Sequence, residues 1–582
     1  MTQKSFKPTD EQKTIIYHTG SAFITACPGA GKTRTLVERA RTVLQDGKHR
    51  RGVAFLSFTN AAVEELEARL RGLRVLPTPL FPSFIGTFDR FLWQFLIQPF
   101  GIPGNAVLPR LVPDKSDWEI VPFPNAQALP FRVFDRDTGD ADENLLKEAG
   151  FDVETRNITA WETAAIRTQK NALAKGMIDF DDVRWIVSQR LRDSGFRDRV
   201  GKALAARFCE VIVDEAQDCN PADLDIVAWL RAAGIAIKVI CDPHQSIYQF
   251  RGGVTDELME FAKTFSDDQQ LSMTGNFRSS PAICSAVMAL KPPGGAATID
   301  KPLGQHKHDL TPIHILSYPG TKVTAAIGAA YQKIAERYKI PLDVAPVIAS
   351  TRPSGSNAIG QPTVGRTKEM TLLLAEAAMQ YHFAFASGNR KESLVNLHRT
   401  ILYVQDRIPS LGSYHAYVTG TDLDDGRWRP AVIAIANDLD VRDGETADDW
   451  LARARSILSP GLVGTRKIGQ RLRRHNDLSS VLSRPPLQSS PARTIHSVKG
   501  MEFPAVCVVM TTQTSGGILD FLEGKPAAKW EEDARKIYVA ASRAERLLVV
   551  AIPSSRLSRL KTLLEKHGCS VEVTDLGIVG DA

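Results

Sequence analysis

No apolar run in the 582 residues reaches the roughly 18 that a membrane-spanning helix requires, which argues against an integral membrane protein. Residues Met1 to Gly20 are polar and lack the pattern of a secretory leader, so a cytoplasmic location is expected. Cysteine is sparse. Its seven copies (Cys27, Cys209, Cys219, Cys241, Cys284, Cys507, Cys569) show no paired spacing, which argues against a disulfide framework or a cysteine-based zinc site and reads as reduced thiols. No internal repeat of fixed period is present. One-sided charge is missing too: 72 basic against 66 acidic residues leave a net of +6, which permits nucleic-acid binding without demonstrating it. With 43% hydrophobic and 24% charged residues the chain reads as globular rather than disordered. Its length exceeds what one core supports, so on the order of three or four domains are expected.

Two stretches alternate short apolar strands with amphipathic helices: Ser21 to Arg90 joined with Asp179 to Phe277, and Leu310 to Thr351 joined with Thr494 to Ile552. Such alternation implies α/β domains with parallel sheets, because a parallel connection needs a crossover. Phe91 to Gly176 and Arg366 to Arg484 interrupt them, the first with Pro-rich mixed segments and then helices, the second with mainly helical patterns. Pro- and Gly-rich linkers sit at the joins, as in Lys291-Pro-Pro-Gly-Gly and Arg484-Pro-Pro.

The strand-like Ala22-Phe-Ile-Thr25 runs into Ala26-Cys-Pro-Gly29-Ala30-Gly31-Lys32-Thr33 and a helical stretch from Arg34, the context a phosphate-binding loop needs. Backbone N–H groups around Gly29 and Gly31 and the helix N-terminus suit phosphate oxygens, Lys32 reaches the terminal phosphates, and Thr33 can hold Mg²⁺. The strict pattern asks for Gly at position 26, where this chain has Ala. The plain alternative is a glycine turn before a helix. Val211-Ile-Val-Asp214-Glu215 is an apolar strand ending in two acids, which places carboxylates at the ligand-binding edge of a parallel sheet. Asp214 suits Mg²⁺ and Glu215 suits activation of a water, although a lone Asp-Glu pair is also common as a solvated strand end.

These two motifs indicate a nucleoside triphosphatase. The elements that follow, in order, resemble the UvrD/Rep family of superfamily 1 helicases. Asp242-Pro-His-Gln245-Ser-Ile-Tyr248-Gln-Phe250-Arg251 resembles its third motif, Asn276-Phe277-Arg278-Ser279 its fourth, Thr494-Ile-His496-Ser-Val-Lys-Gly-Met-Glu502 its fifth, and Tyr538-Val-Ala-Ala-Ser-Arg543 its sixth. Phe58-Thr59-Asn60 and Gly86-Thr87-Phe88-Asp89 resemble its strand-binding motifs, Asp179-Phe-Asp-Asp182 its acidic turn, and Gln12 stands where an adenine-reading Gln occurs.

The resemblance implies two RecA-like domains (1–90 with 177–277, and 278–365 with 491–582), each interrupted by a mainly helical insertion (91–176 and 366–490). It implies ATP bound by Gln12, Gly29 to Arg34, Phe277 and Glu502, with Mg²⁺ on Thr33 and Asp214. Lys32, Asp214, Glu215, Gln245, Arg278 and the finger Arg543 would be catalytic. Single-stranded and junction DNA would meet Phe58, Thr59, Asn60, Thr87, Phe88, Tyr248, Phe250, Arg251 and His496, with movement 3′-to-5′. Four positions depart from the family pattern: Asp89 for His, Phe277 for Tyr, Phe250 for Trp and Ser542 for Thr. Phe keeps a stacking face, whereas the Asp89 carboxylate would repel a phosphate.

The aromatic candidates and His496 also fit as ordinary core residues. The basic run Arg453 to His475 fits either a solvated face or a duplex-binding patch. A DNA-sensing ATPase switch without processive unwinding remains an alternative, which the short second insertion favours. A fused nuclease is not expected, since only Glu545 to Ala582 follow the sixth motif. Compact chains of this type also serve as the motor half of two-gene anti-phage systems such as Gabija, where a separate subunit cuts DNA.

Overall fold

The computed structural model describes residues 7–45, 51–73, 80–112, 114–124, 126–151, 157–247, 255–293, 300–360, 369–387, 390–414, 417–418, 421, 425–483 and 490–577. The chain divides into two compact units: Met1–Leu96, Arg184–Gln361 and Pro485–Ala582 form one, and Ile97–Val183 and Pro362–Arg484 form the other.

The first unit holds two six-stranded sheets, every strand pair parallel, as the alternating pattern predicts. In one, the strands run in the order Gln270–Met273, Ala22–Ala26, Ala236–Cys241, Phe208–Val213, Gly52–Ser57, Phe84–Thr87. In the other the order is Ala492–Thr494, Val347–Ala349, Phe503–Val509, Ala544–Pro553, Ile313–Tyr318, Val571–Asp575. Gly52–Ser57 and Ile313–Tyr318 are buried along their whole length because helices cover both faces. Alternation remains visible within the burial: Leu548, Val550 and Ile552 pack on one face of the second sheet, and Leu547, Val549 and Ala551 on the other.

The second unit is built from the two interruptions. The later one packs helices Met370–Ser387, Arg390–Val404, Asp425–Asp438 and Ala447–Leu458 around Leu374, Leu397, Trp428 and Trp450. The earlier one combines helices Glu143–Glu148 and Thr159–Ala174 with short ladders, Glu119–Ile120 against Leu129–Pro130 and Arg110–Leu111 against Met177–Ile178. Its core of Ile120, Leu129, Phe131 and Trp161 is separate from the helical one. The acidic turn is neutralised from within this unit. Lys115 Nζ lies 2.5 Å from Asp182 and Arg136 Nη1 2.5 Å from Asp179, while Lys115 and Asp182 are fully buried. A buried carboxylate is tolerated only with such partners, so this turn is a structural clasp.

Candidate nucleotide site and strand-facing surface

Strand Ala22–Ala26 ends where the phosphate loop begins, and helix Lys32–Gln45 begins where it ends. Gly29 and Gly31 have φ of 71° and 73°, a conformation costly for any residue with a Cβ. At Gly29 space is limiting as well, since a Cβ there would stand 2.6 Å from Asn276 Oδ1 and 2.7 Å from Arg278 Cβ. The Phe277 N–H donates to the Gly29 carbonyl (2.8 Å), so the fourth-motif segment lies directly on the loop. Gln12 is buried on helix Asp10–Tyr17, and its Nε2 donates to the Ala30 carbonyl at 3.1 Å. A Cβ at Gly31 would touch both Gln12 Nε2 (3.2 Å) and the Phe277 ring (3.7 Å). Gln12, Ala30, Gly31 and Phe277 therefore converge on one end of the loop, and Arg34 is exposed on the first turn of its helix.

On the neighbouring strands, the Asp214 N–H donates to the Leu56 carbonyl (2.8 Å), fixing the acid at the end of Phe208–Val213. Glu215 takes the left-handed φ of 55°, a strained choice for a side-chain-bearing residue that turns its carboxylate towards Lys32. Lys32 Nζ stands 2.9 Å from Glu215 Oε1, with side chains 14% and 22% exposed. Burial opposes the Lys32 charge, but Glu215, Asp214 and Asp242 outweigh it and raise its pKa. Burial also pushes both carboxyls up. It prevails at Asp214, where the Glu215 charge adds to it, while Lys32 and then Lys499 hold Glu215 below its ordinary value. Thr33 and Asp214 adjoin a cavity of about 10 Å³ whose other walls, among them Leu36, Phe55, Leu66, Ile85 and Ile212, are mainly apolar.

From Glu215 a hydrogen-bonded chain crosses to the second sheet. Gln217 Nε2 donates to Glu215, and Gln217 Oε1 accepts from the Asp242 N–H at 3.1 Å. Asp242 Oδ2 accepts from Gln245 Nε2 (2.8 Å) and from the Tyr538 hydroxyl (3.2 Å). Gln245 Oε1 accepts from Arg543 Nη2 at 2.9 Å. Arg278 completes the wall: Nη1 donates to the Ser542 carbonyl (2.7 Å) and Nη2 pairs with the half-exposed Glu502 (2.5 Å). Burial, then the Arg278 charge, lowers Arg543 to about 9. Two cations share this wall, and a polyanion would relieve both.

The other predicted strand contacts separate into three groups. Phe58 is half-buried and stacks at 5.5 Å and 13° on Phe88, but Phe88 is 0% exposed and supports Phe58 from beneath. That corrects the expectation of a base-facing Phe88: as the first residue of helix Phe88–Leu92 it points into the core. Thr59 and Thr87 are helix N-caps whose hydroxyls accept from Ala62 N (3.3 Å) and Arg90 N (3.1 Å), and Asn60 is exposed on the first turn after Thr59. His496 Nε2 lies 3.2 Å from the Ile247 carbonyl, and burial lowers its pKa. Tyr248, Phe250 and Arg251 lie outside the described residues. Asp89 is paired rather than free: Arg184 Nη2 stands 2.6 Å from it, while Arg184 Nε donates to Asp223 (2.8 Å). In the basic run, Arg453 is bound to Glu445, Arg455 to the Leu472 carbonyl and Arg471 to the Val404 and Tyr403 carbonyls, which leaves Arg466, Lys467, Arg473 and Arg474 as its exposed cations.

Residues 8–266 match the UvrD/REP helicase N-terminal domain and residues 475–555 the UvrD-like helicase C-terminal domain, together more than half of the chain. The chain belongs to the UvrD/Rep helicase family. Similar proteins include the ATP-dependent DNA helicase UvrD2 of Mycobacterium tuberculosis, 23% identical over 94% of this chain and 78% of that protein. The putative ATP-dependent DNA helicase YjcD of Bacillus subtilis is 25% identical over 49% of this chain and 38% of its own length. The Gabija protein GajB of Bacillus cereus is 24% identical over 46% of each. The chain thus spans less than half the length of two of these three relatives.

Gln217, Asp242, Tyr538 and Lys499 of this UvrD/Rep chain lie inside the recognised motifs yet carried no assigned role in the sequence. Their pairings appear only when the two sheets face each other. Arg184 had no motif to point to it, and its only sequence signal is the unusual Asp89 that it neutralises.

Proposed function

We propose that this chain is an ATP-driven motor that binds ATP with Mg²⁺, moves 3′-to-5′ along single-stranded DNA and separates duplex. The observation that carries the reading is the bond between Arg543 of the second sheet and Gln245 of the first, at the end of a chain leading to Glu215. Hydrolysis needs charge stabilisation from both sides of a phosphoryl group, and here both sides are already joined. Domain boundaries at about 90, 176, 277, 365 and 490 belong to this proposal.

Gln12 and Phe277 would hold adenine, and the backbone of Gly29 to Thr33 with Lys32 the phosphates, while Arg34 and Glu502 flank the nucleotide. Thr33 at the end of the phosphate loop and Asp214 at the end of its strand are hard oxygen donors that suit Mg²⁺, which when bound would neutralise phosphate charge. Glu215 would take the proton of the attacking water. Gln245 would sense the γ-phosphate, and Arg278 and Arg543 would meet charge developing on it. Closing and opening of the cleft, transmitted through Gln245 to Tyr248 and Phe250, would step Phe58 and its neighbours along bases.

Direction and DNA preference rest on the family. The similarity to GajB supports a separate nuclease subunit as partner and an anti-phage setting. No helix among the described residues is long and apolar enough to cross a membrane. A cytoplasmic location is part of the proposal. Lys32→Ala should abolish DNA-stimulated ATP hydrolysis while the fold persists. Displacement of a strand from a long duplex separates the motor from a DNA-sensing switch, which would hydrolyse ATP without separating strands.

A further inference from the structure

Glu11 stands next to Gln12 on helix Asp10–Tyr17, and both oxygens of its carboxylate bind one residue of the segment leading into the fourth motif. Its Oε2 accepts from the Thr274 N–H at 2.8 Å and its Oε1 from the Thr274 hydroxyl at 2.7 Å. Bonds made in pairs to a carboxylate fix direction as well as distance. Thr274 joins strand Gln270–Met273 to Gly275–Asn276, and its carbonyl accepts from the Lys301 N–H at 2.8 Å. It lies three residues before Phe277, whose own N–H is held by the Gly29 carbonyl.

The amide of Gln12 is oriented by two bonds of its own. Its Oε1 accepts from the Thr9 N–H (3.1 Å) while its Nε2 donates to the Ala30 carbonyl (3.1 Å), which leaves one N–H and one oxygen lone pair to meet a base. A donor and an acceptor side by side match the N7 and N6 edge of adenine, whereas guanine offers two acceptors there. Such a match holds only while Gln12 and the Phe277 ring keep their spacing over Gly31. The far end of the helix is anchored elsewhere: Arg39 Nη1 donates to the Ile16 carbonyl (2.8 Å) and Lys238 Nζ to the His18 carbonyl (3.3 Å), from the phosphate-loop helix and strand Ala236–Cys241. Glu11 ties the near end to the segment that carries Phe277.

We propose that Glu11 is a positioning residue that sets the spacing between Gln12 and Phe277, and so governs selectivity for adenine over guanine nucleotides. The inference rests on the nucleotide reading above. It goes beyond that reading in placing base selectivity partly in a side chain bound to Thr274 rather than to the base.

The test is steady-state hydrolysis of ATP and of GTP by the full chain, for wild type, Glu11→Ala, Glu11→Gln, Thr274→Val, Gln12→Ala and the double variant Glu11→Ala with Gln12→Ala. Glu11→Ala should raise KM for ATP about fivefold or more with kcat within about twofold, and should lower the ATP-to-GTP ratio of kcat/KM about fivefold or more, because a misaligned amide no longer separates the two bases. Glu11→Gln should keep most of the selectivity, since its amide can accept from the Thr274 N–H and donate to the hydroxyl. Thr274→Val keeps the N–H and leaves the helix untouched, so it should fall between, and it serves as the test if Glu11→Ala unfolds. The double variant should lose no more selectivity than Gln12→Ala, because stacking on Phe277 does not tell the bases apart. Equal kcat/KM for ATP and GTP in wild type would overturn the adenine reading and this proposal with it. Selectivity lost in Gln12→Ala but kept in Glu11→Ala and Thr274→Val, or additive losses in the double variant, would leave that reading standing and overturn the proposal.

Discussion

Glu215→Gln offers a perturbation whose size can be worked from the structure. Lys32 and Glu215 face each other at 2.9 Å, so the lysine proposed to meet the terminal phosphates is paired with the carboxylate proposed to activate water. Two unit charges at that distance attract by about 6 kcal/mol at an effective dielectric of about 20. Both side chains keep part of their hydration, and the pair has paid for desolvation, so the net hold on Lys32 is about 1–3 kcal/mol. The amide keeps the shape but releases the lysine. ATP should then bind about 5- to 150-fold more tightly, while turnover falls about 10²- to 10⁴-fold with the lost proton acceptor. Calorimetric titration of ATP into the variant, beside a steady-state phosphate-release assay, reads both quantities. Weaker ATP binding than wild type, or undiminished turnover, would refute the argument that Glu215 both restrains Lys32 and activates water.

Arg543→Ala should cut turnover by about 10³-fold or more and change ATP affinity far less, since it acts on transition-state charge; equal losses in both would mark a structural arginine. Gly29→Ala should weaken ATP binding, because the new Cβ would strike Asn276 and Arg278 at a positive φ, and an unchanged affinity by titration would count against the tight loop geometry. Phe58→Ala and Phe88→Ala should part company. The first should weaken oligonucleotide binding, at about 1–3 kcal/mol per stacked base, with little change in melting temperature, and the second should cost about 3–5 kcal/mol of stability. A stable Phe88→Ala protein with selectively lost DNA binding would restore Phe88 to the strand surface.

The phosphate loop and the Asp214-Glu215 strand end were legible in the sequence because their chemistry is local. Consecutive backbone groups would hold the phosphate, and one strand delivers both acids. The parallel sheets were legible from periodicity, since strands covered on both faces must be apolar throughout. Pairings between distant segments were not. Nothing in Asp89 reveals that Arg184 neutralises it, and nothing in Asp218 names Lys499, because an ion pair leaves no periodic trace. Phe58 and Phe88 look alike as sequence letters, and only the strand and helix geometry decides which ring is covered. The acidic turn at Asp179 to Asp182 was recognisable only as a motif, and nothing in it names Lys115 and Arg136, which pair with its carboxylates. Arg453, Arg455 and Arg471 similarly spend their donors inside the helical unit rather than on a partner.

The central claim is directed, ATP-driven movement on single-stranded DNA. Its most direct test is displacement of streptavidin from oligonucleotides biotinylated at one end or the other, followed in time with excess free biotin as trap. The account predicts ATP-dependent release from the 5′ end, none from the 3′ end, and none with Lys32→Ala. ATP hydrolysis stimulated by the same oligonucleotides without release from either end would contradict it and leave a switch, and release from the 3′ end alone would reverse the direction.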